Sequence, residues 1–267
     1  MKNLIITGIP RSGTTLTTAI VDSYENTVGI SEPVWQAKWS REMTDREAYV
    51  QCLVKDFSDI RDKVVNGGSI QDRRNPAGLV NTNYYRGIDN AGPGDPRDLE
   101  SFSWEGMNSD FILAMKHNAH YTCVLPDLLE QTNFSVLAVI RHPVPTILSW
   151  RALNIPISRG TMPAAEQFWP EVAEIRQRTD DLLRIQVELY GLFCMRYQLL
   201  REKIQLIRYE QLIRNPALLS EYLGRNYMGG IEIKPRNWRG EHSQLEIQEV
   251  QKYLKQYCPI AFEYYPD

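Results

Sequence analysis

The sequence predicts an α/β fold of three layers, in which helices flank a central parallel sheet on both faces. Short apolar runs rich in β-branched residues recur along the chain, as in strands that are buried on both sides. Two of these runs pass through turn residues directly into helix-forming segments, and strand and helix patterns alternate. The 267 residues suffice for one domain, residues 1–267, with residues 36–110 as an insertion.

Composition narrows the class of protein. A hydrophobic content of 43%, a charged content of 24% and a net charge of −3 are typical of a globular protein without a nucleic-acid surface. No apolar run reaches the ~20 residues that span a bilayer, and no signal region precedes the first strand, so we expect a cytoplasmic protein without membrane contact. The four scattered cysteines, without a C-x-x-C pair, are predicted to be reduced thiols that hold neither zinc nor disulfides.

The first element is a strand over residues 4–7, followed by a turn between Gly8 and Gly13 and a helix over residues 14–21. Backbone N–H groups and the positive end of the helix dipole converge at such a turn, which makes it an anion-binding cradle. The ATP- and GTP-binding form of this loop is G-x-x-x-x-G-K-[ST]. Here Thr14 stands at the lysine position and the cation is Arg11, inside the loop. The pattern therefore predicts a P-loop-type fold whose ligand carries one phosphate with a further anionic group beside it.

The hexapeptide Pro10-Arg-Ser-Gly-Thr-Thr15 resembles the 5′-phosphosulfate-binding loop of sulfotransferases, P-[KR]-S-G-T-[ST]. Those enzymes use 3′-phosphoadenosine 5′-phosphosulfate (PAPS) and release adenosine 3′,5′-bisphosphate (PAP). The resemblance implies that the 5′-phosphosulfate is bound by Arg11, Ser12, Gly13, Thr14 and Thr15, and that Arg11 also neutralises charge on the leaving group. The alternative is a Gly-containing turn that binds no ligand.

Glu32 is the first candidate for a general base. Residues 27–30 are predicted to form a short strand, and Glu32-Pro-Val-Trp35 follows it. A residue before proline favours extended geometry, which would aim the Glu32 carboxylate into the cleft. The segment resembles the E-P-[LMV]-W of carbohydrate sulfotransferases, whose Glu removes the acceptor proton. The alternative is a solvated glutamate beside a packed tryptophan.

The predicted insertion contains a helix over residues 44–65, with an apolar face at Tyr49, Leu53, Phe57 and Ile60, and a loop rich in Gly and Pro over residues 87–98. The resemblance implies that residues 36–110 line the acceptor pocket and its lid. The alternative is an irregular surface insertion.

His117 is the second candidate base. A strand is predicted over residues 111–115, and Lys116-His-Asn-Ala-His120 follows. Cytosolic sulfotransferases carry K-T-H-L-P near this point, with the histidine as base. Lys116 matches their lysine, but Asn118 stands at the histidine position, so His117 and His120 are out of register. The alternative for both is an ordinary hydrogen-bonded or exposed histidine.

A second strand-to-helix transition carries Arg141 and Ser149. The strand over residues 135–140 leads into Arg141-His-Pro143, and Ser149 lies on the helix that follows. Arginine offers a planar fork suited to phosphate, and serine adds a donor. The frame resembles the R-x₇-S signature that binds the 3′-phosphate of PAPS. The alternative is a surface salt bridge and a serine that faces its own helix.

The remainder of the chain is predicted to be mostly helical. One helical region runs from residue 163 to 202, a strand covers residues 204–207, and a capping box of Ser243 and Glu246 begins the last helix. The apolar stripe of the long region, interpreted as core, is Ile175, Leu182, Ile185, Leu189 and Phe193.

Three further residues are assigned by resemblance alone. Tyr209, in Arg-Tyr-Glu-Gln-Leu, corresponds to a tyrosine close to the adenine, and Arg236 and Arg239 correspond to a basic loop over the 3′-phosphate. A core-edge aromatic and solvated surface charges are the alternatives.

The sequence thus predicts a sulfotransferase that moves the sulfuryl group of PAPS to a hydroxyl of a carbohydrate or other small-molecule acceptor. No metal is implied. The resemblance is strongest to carbohydrate-type and bacterial small-molecule sulfotransferases. An atypical P-loop kinase that uses ATP and Mg²⁺, and a catalytically silent nucleotide-binding protein, are the other readings. The sequence leaves the acceptor and the oligomeric state open.

Overall fold

A computed structural model of the chain describes residues 2–74, 78–83, 99–233 and 238–266. Its strands are β1 (Asn3–Gly8), β2 (Thr27–Ser31), β3 (Ile70–Asp72), β4 (Glu100–Phe102), β5 (Ile112–Lys116), β6 (Ser135–Ile140) and β7 (Gln205–Arg208). Within these residues one five-stranded sheet runs in the order β2-β5-β1-β6-β7, with every pair parallel. β3 and β4 pair separately as an antiparallel hairpin. The predicted parallel α/β architecture is confirmed.

The α-helices of the described residues are α1 (Thr14–Asp22), α2 (Gln36–Glu42), α3 (Arg46–Val65), α4 (Asn118–Cys123), α5 (Leu125–Gln131), α6 (Pro143–Arg151), α7 (Pro163–Glu166), α8 (Glu171–Arg178), α9 (Leu182–Leu199), α10 (Tyr209–Arg214), α11 (Ser220–Leu223), α12 (Gln244–Tyr257) and α13 (Ala261–Tyr264). Short 3₁₀ turns cover Pro156–Arg159, Pro216–Leu219 and Trp238–Gly240. None of these helices is long and apolar enough to cross a membrane.

The two faces of the sheet are buried by different helices, which gives the three layers. Strand side chains alternate between faces. Leu4 and Ile6 pack in a cluster with side chains of α1, α10 and α11, whereas Ile5 packs on the opposite side with α3, α5, α6, α8, α9 and α12. Each of these three strand residues is fully buried.

The sheet order places a crevice at the carboxyl ends of the central strands. β1 lies between β5 and β6; its chain continues through α1 to β2 at one edge, whereas β6 continues through α6 towards β7 at the other edge. Open parallel sheets bind ligands where neighbouring connections diverge in this way.

The region expected to be helical, residues 163–202, is mostly helical but is not continuous. It is divided into α7, α8 and α9, because Pro170 precedes α8 and Asp181 caps α9 by accepting hydrogen bonds from the N–H groups of Leu183 and Arg184. Leu182, assigned to the core stripe, is 44% exposed. The capping box of Ser243 at the start of α12 is confirmed.

The described residues between 36 and 110, the range predicted to be an insertion, contain more secondary structure than the sequence predicted. The long helix α3 is confirmed, with its predicted apolar face fully or almost fully buried. α2 and the β3–β4 hairpin had not been predicted. The predicted loop over residues 87–98 lies outside the described residues.

A buried arginine attaches this insertion to the sheet. Arg74 follows β3 and its side chain is 3% exposed. Its guanidinium donates to both carboxylate oxygens of Asp22, the last residue of α1, at 2.8 and 3.1 Å. It also donates to Asp72 at 3.0 Å and to the carbonyl of Gly29 in β2 at 2.5 Å.

All four cysteines are free thiols. Cys123, Cys194 and Cys258 are buried, and Cys52 is partly accessible. In the described part of the chain no three His, Cys, Asp or Glu side chains are grouped so as to hold a metal ion.

Candidate functional site

A cavity of about 880 Å³ opens at the carboxyl ends of the central strands. Most of the residues singled out from the sequence line it: Arg11, Gly13, Thr14, Thr15, Glu32, His117, Arg141, Ser149 and Tyr209. These residues come from six separate parts of the chain, so the fold gathers them at one place.

The β1–α1 turn forms one wall of the cavity. Arg11 and Gly13 adopt left-handed backbone conformations, with φ of 67° and 91°, which turn the chain sharply into α1. An α-helix leaves the N–H groups of its first turn without intrahelical partners, and no side chain of the described residues caps them here. A Cβ at Gly13 would lie 2.3 Å from the Tyr209 ring, so only glycine fits at this position. The turn is therefore a cradle of open backbone donors beside an aromatic side chain.

Ser12 has a different position from the one the resemblance implies. Its side chain is fully buried, its hydroxyl donates to the carbonyl of Val139 in β6 at 2.8 Å, and its N–H donates to Ile9 at 2.9 Å. Both donors are thus used inside the protein, because the turn must be fastened to the neighbouring strand. The structure shows Ser12 as a support of the turn and not as a lining residue.

The β6–α6 element meets this turn directly. Arg141 donates to the carbonyl of Arg11 at 3.3 Å, and its guanidinium lies 4.9 Å from the centre of the Tyr209 ring. Arg11 in turn donates through Nε to the hydroxyl of Ser149 at 3.3 Å. The two arginines and the serine therefore form one continuous cluster of donors along the cavity.

Glu32 lies on the opposite side of the α1 N-terminus, paired with a buried lysine. Ser31 of β2 is in register with Lys116 of β5, so the ends of the two strands bring Lys116 against the Glu32 carboxylate. The side chain of Lys116 is 2% exposed and that of Glu32 is 30% exposed. Lys116 Nζ is also 3.3 Å from the hydroxyl of Thr15, so it connects the candidate base with the anion cradle.

The backbone of Glu32 is not extended, contrary to the expectation from Pro33. Its φ is 53°, in the left-handed region. The N–H of Glu32 donates to the carbonyl of Lys116 at 2.8 Å, and Arg73 donates to the carbonyl of Glu32 at 2.7 Å. These bonds on both sides of the residue hold a conformation that is costly for a side chain with a Cβ.

The charge state of the pair follows from two opposing effects. Burial raises the pKa of Glu32, but the charge of Lys116 and its hydrogen bond outweigh burial, so the pKa lies below its ordinary value of 4.5. Burial lowers the pKa of Lys116 below 10.5, and the Glu32 carboxylate opposes that shift. At neutral pH Glu32 is therefore a carboxylate that can accept a proton.

His117 lines the cavity, and His120 lies behind it. The Nδ1 of His117 accepts from the N–H of His120 at 3.5 Å, and the two rings meet edge to face with centres 3.8 Å apart. His120 is 1% exposed and is hydrogen-bonded to the Tyr49 hydroxyl. Burial first, and then the neighbouring positive groups, lower the pKa of His117 well below 6.5, so its imidazole is neutral at neutral pH.

Arg239, one of the two arginines of the predicted basic loop, does not line the cavity. It is exposed, and its guanidinium lies 5.1 Å from the centre of the Trp238 ring. Arg236 lies outside the described residues. Glu232, Ile233 and Glu241 of this part of the chain do line the cavity.

Sequence reasoning missed two features of the site. Lys116 was noted only as a match to a family lysine, although its place at the end of a predicted strand was a signal that it points to the cavity. The segment 152–164, which lines the cavity with mainly apolar side chains, was not assigned to the site.

No protein-family model matches the chain, and no curated protein matches it. Two solved structures are similar to it over almost its whole length, at low sequence identity. One is a sulfotransferase from Alicyclobacillus acidocaldarius, with 15% identity, a TM-score of 0.43, and coverage of 96% of both chains. The other is a retinol dehydratase in complex with androsterone and the inactive cofactor PAP, with 12% identity, a TM-score of 0.37, and coverage of 96% of this chain and 81% of that one.

Proposed function

We propose that the protein is a sulfotransferase that uses PAPS, transfers its sulfuryl group to a hydroxyl of a small-molecule acceptor and releases PAP. One observation carries this proposal: two groups of hydrogen-bond donors, each suited to an anion, meet along one cavity. The open N-terminus of α1 lies at one end, and Arg141 with Ser149 lies beside it, joined through Arg11. A ligand with two separate phosphate-bearing groups matches this arrangement.

The residues fit such a nucleotide. The N–H groups at the start of α1 and the hydroxyls of Thr14 and Thr15 would hold the 5′-phosphosulfate, since a helix N-terminus favours anions. Arg141 and Ser149 would hold the 3′-phosphate through charge-assisted hydrogen bonds. The Tyr209 ring, packed against the cradle, offers a flat surface for the adenine.

The transfer needs a proton acceptor and stabilisation of the leaving group. PAPS supplies a sulfur whose bond to a 5′-phosphate oxygen breaks, with the electron pair leaving on PAP, as the acceptor oxygen bonds to sulfur. Glu32 accepts the proton of that acceptor hydroxyl, which typically contributes ~10²–10⁴-fold. Arg11 stabilises the negative charge that grows on the leaving phosphate.

Lys116 orients the base and adds a positive charge next to the transferred group. Its ammonium lies between the Glu32 carboxylate and the Thr15 hydroxyl, at the boundary between base and cradle. A buried ammonium is a strong electrostatic group because little water screens it.

The test is a thermal-shift titration of the full chain with PAP, against ADP and ATP with and without Mg²⁺. A ligand that binds only the folded state at 100 times its dissociation constant adds ~2.7 kcal/mol of stability. We expect PAP to raise the midpoint, and we expect the rise at the same PAP concentration to be clearly smaller in Arg141→Ala. Stabilisation by ATP with Mg²⁺ and none by PAP would favour a kinase. PAP binding without transfer of ³⁵S from PAPS to any acceptor would indicate a silent nucleotide-binding protein.

A further inference from the structure

One wall of the cavity is built from the segment between α6 and the end of α7, residues 152–164. Its cavity-lining side chains are almost all apolar: Leu153, Ile155, Ile157, Met162, Pro163 and Ala164 are the main ones. Ile157 and Met162 are 4% and 5% exposed and continue into the core, whereas Pro163 is exposed at the rim. We call residues 152–164 the apolar wall.

The polar side chains of the apolar wall use their hydrogen bonds within the segment. Asn154 and Arg159 do not line the cavity, and Arg159 donates to Asn154 at 2.6 Å. Ser158 donates its hydroxyl to a carbonyl three residues earlier at 2.6 Å. Thr161 lines the cavity, but its hydroxyl donates to the carbonyl of Pro156 at 3.0 Å. The wall therefore presents hydrocarbon to a ligand, while its polar side chains are hydrogen-bonded within the segment.

The apolar wall connects the two working ends of the site. It begins directly after α6, which carries Ser149 of the nucleotide part. It ends in α7, which packs against α4, the helix capped by His117 and preceded by Lys116. The wall and Glu32 line the same cavity, so a molecule that lies along the wall can direct one end towards Glu32. Thr82 and Asn118 are further polar residues of the cavity lining.

We propose that the acceptor is an alcohol or phenol carried on a hydrocarbon framework, and that the apolar wall binds this framework while the hydroxyl points to Glu32. The proposal rests on the proposed function. A sugar laid on the wall would lose the hydrogen bonds of its hydroxyls to water without gaining others. An apolar framework gains from the same contact, because burial of hydrocarbon surface is favourable. The apolar wall thus favours an apolar alcohol over a carbohydrate, a choice that the sequence left open.

The first experiment compares acceptors under saturating ³⁵S-labelled PAPS, with 2-naphthol and 1-decanol against N-acetylglucosamine and lactose. We expect transfer to at least one apolar alcohol, with kcat/KM at least about tenfold above that for either sugar. A higher kcat/KM for a sugar overturns the proposal. In parallel, 2-naphthol is added to the PAP-saturated protein, and we expect a further rise of the unfolding midpoint that the sugars do not give. If none of the four compounds accepts sulfate and 2-naphthol gives no further rise, the proposal is also overturned.

The second experiment places a charge on the wall, with a matched control in the same segment. In Ala164→Asp we expect KM for 2-naphthol, or its dissociation constant in the PAP complex, to rise about tenfold or more. Asn154→Asp keeps an oxygen that accepts from Arg159 and lies off the cavity, so it should change neither value. An unchanged KM in Ala164→Asp, or equal effects of the two variants, overturns the role of the wall. The rise of the unfolding midpoint with PAP is a separate check. If the unaltered protein shows no such rise, the proposed function is contradicted. If both variants show it, their nucleotide binding is intact and any change in KM comes from the binding of the acceptor.

Discussion

The two strand–turn–helix elements of the site have the same topology but offer different chemistry. In the β1–α1 element the helix is preceded by Gly13, and its first N–H groups are open. In the β6–α6 element the first turn contains Pro143 and Pro145, which have no N–H. Of the other donors there, the N–H of Val144 bonds to the ring of His142, and the N–H of His142 bonds to Glu210.

On the proposed function, the first element would therefore bind an anion through its backbone and the second through its side chains. Backbone donors depend on the path of the chain, so the first element should tolerate the loss of a hydroxyl but not the loss of Gly13. The second element depends on Arg141 and Ser149, whose guanidinium and hydroxyl replace the missing amides. A shared topology thus does not imply a shared mode of recognition.

The largest effect is expected from a change that leaves both elements intact. Glu32→Gln should lower kcat by ~10²–10⁴-fold with PAP affinity unchanged, because neither anion-binding element removes the acceptor proton. Because the pKa of Glu32 is lowered from 4.5, the carboxylate stays ionised as the pH falls to 4.5. Its contribution to rate and to stability is lost only as the pH falls below 4.5, through the lowered pKa. Steady-state kinetics from pH 3 to pH 8, with a PAP titration at each pH, measures the loss of turnover, and the thermal midpoint over the same pH range measures the loss of stability.

Two checks accompany the Glu32 variant. The thermal midpoint with PAP shows that the protein is folded, which matters because Gln leaves the charge of Lys116 without its partner. If Glu32→Gln keeps full turnover while His117→Ala abolishes it, His117 is the base and the assignment to Glu32 is wrong.

Gly13→Ala should break the backbone element. The added Cβ would lie 2.3 Å from the Tyr209 ring, and φ of 91° is unfavourable for alanine. We expect PAP affinity to fall about 100-fold, equivalent to the ~2–3 kcal/mol that a strained residue and a displaced ring cost. Isothermal titration measures the affinity. Gly106→Ala is the control, because φ at Gly106 is also positive, at 71°, and no heavy atom of the described residues lies within 4 Å of the added Cβ. If both variants lose PAP affinity equally, backbone strain alone explains the loss and the contact with Tyr209 does not.

Arg141→Ala should break the side-chain element. A hydrogen bond to a charged group contributes ~1.5–3 kcal/mol, so PAP affinity should fall by roughly 10- to 100-fold. AMP, which lacks the 3′-phosphate, should bind the two proteins alike, and competition titrations with both nucleotides measure the difference. Arg141→Lys keeps the charge without the fork and should be intermediate. An equal loss for AMP and PAP would show that Arg141 supports the turn through the Arg11 carbonyl and does not read the 3′-phosphate.

Ser12→Ala should have the smallest effect on the ligand. Its buried hydroxyl is bonded to Val139 and not to the cavity, so we expect a loss of ~1 kcal/mol in the free energy of unfolding and PAP affinity within twofold. Denaturant titration and calorimetric binding measure the two quantities. A tenfold loss of affinity at unchanged stability would return Ser12 to the ligand-binding residues.

The parts of the fold that the sequence predicted carry their signals locally. β1 with α1, and β6 with α6, were recognisable because an apolar β-branched run meets Gly or Pro and then a helix. The capping box at Ser243 lies within four residues of chain. Each of these patterns depends on neighbours in the sequence and needs no knowledge of the packing.

The features that the sequence did not predict depend on contacts between distant residues. Glu32 and Lys116 are 84 positions apart and meet only because β2 and β5 are neighbours in register. The buried hydroxyl of Ser12 is used by Val139, which is 127 positions away. The helical region after residue 163 kept its apolar spacing across two breaks, so periodicity alone could not divide it.

The buried Arg74 has a consequence for anyone who recombines domains of this kind. Arg74, within residues 36–110, is hydrogen-bonded to Asp22, which lies 52 positions before it in the chain. Asp22 is the last residue of α1, the helix that begins at the anion cradle. Replacing residues 36–110 with another insertion would leave the Asp22 carboxylate, 9% exposed, without its arginine, at a cost of ~3–5 kcal/mol. The segment is therefore not an exchangeable cassette, and a working chimera must carry a compatible residue at position 22 along with the graft.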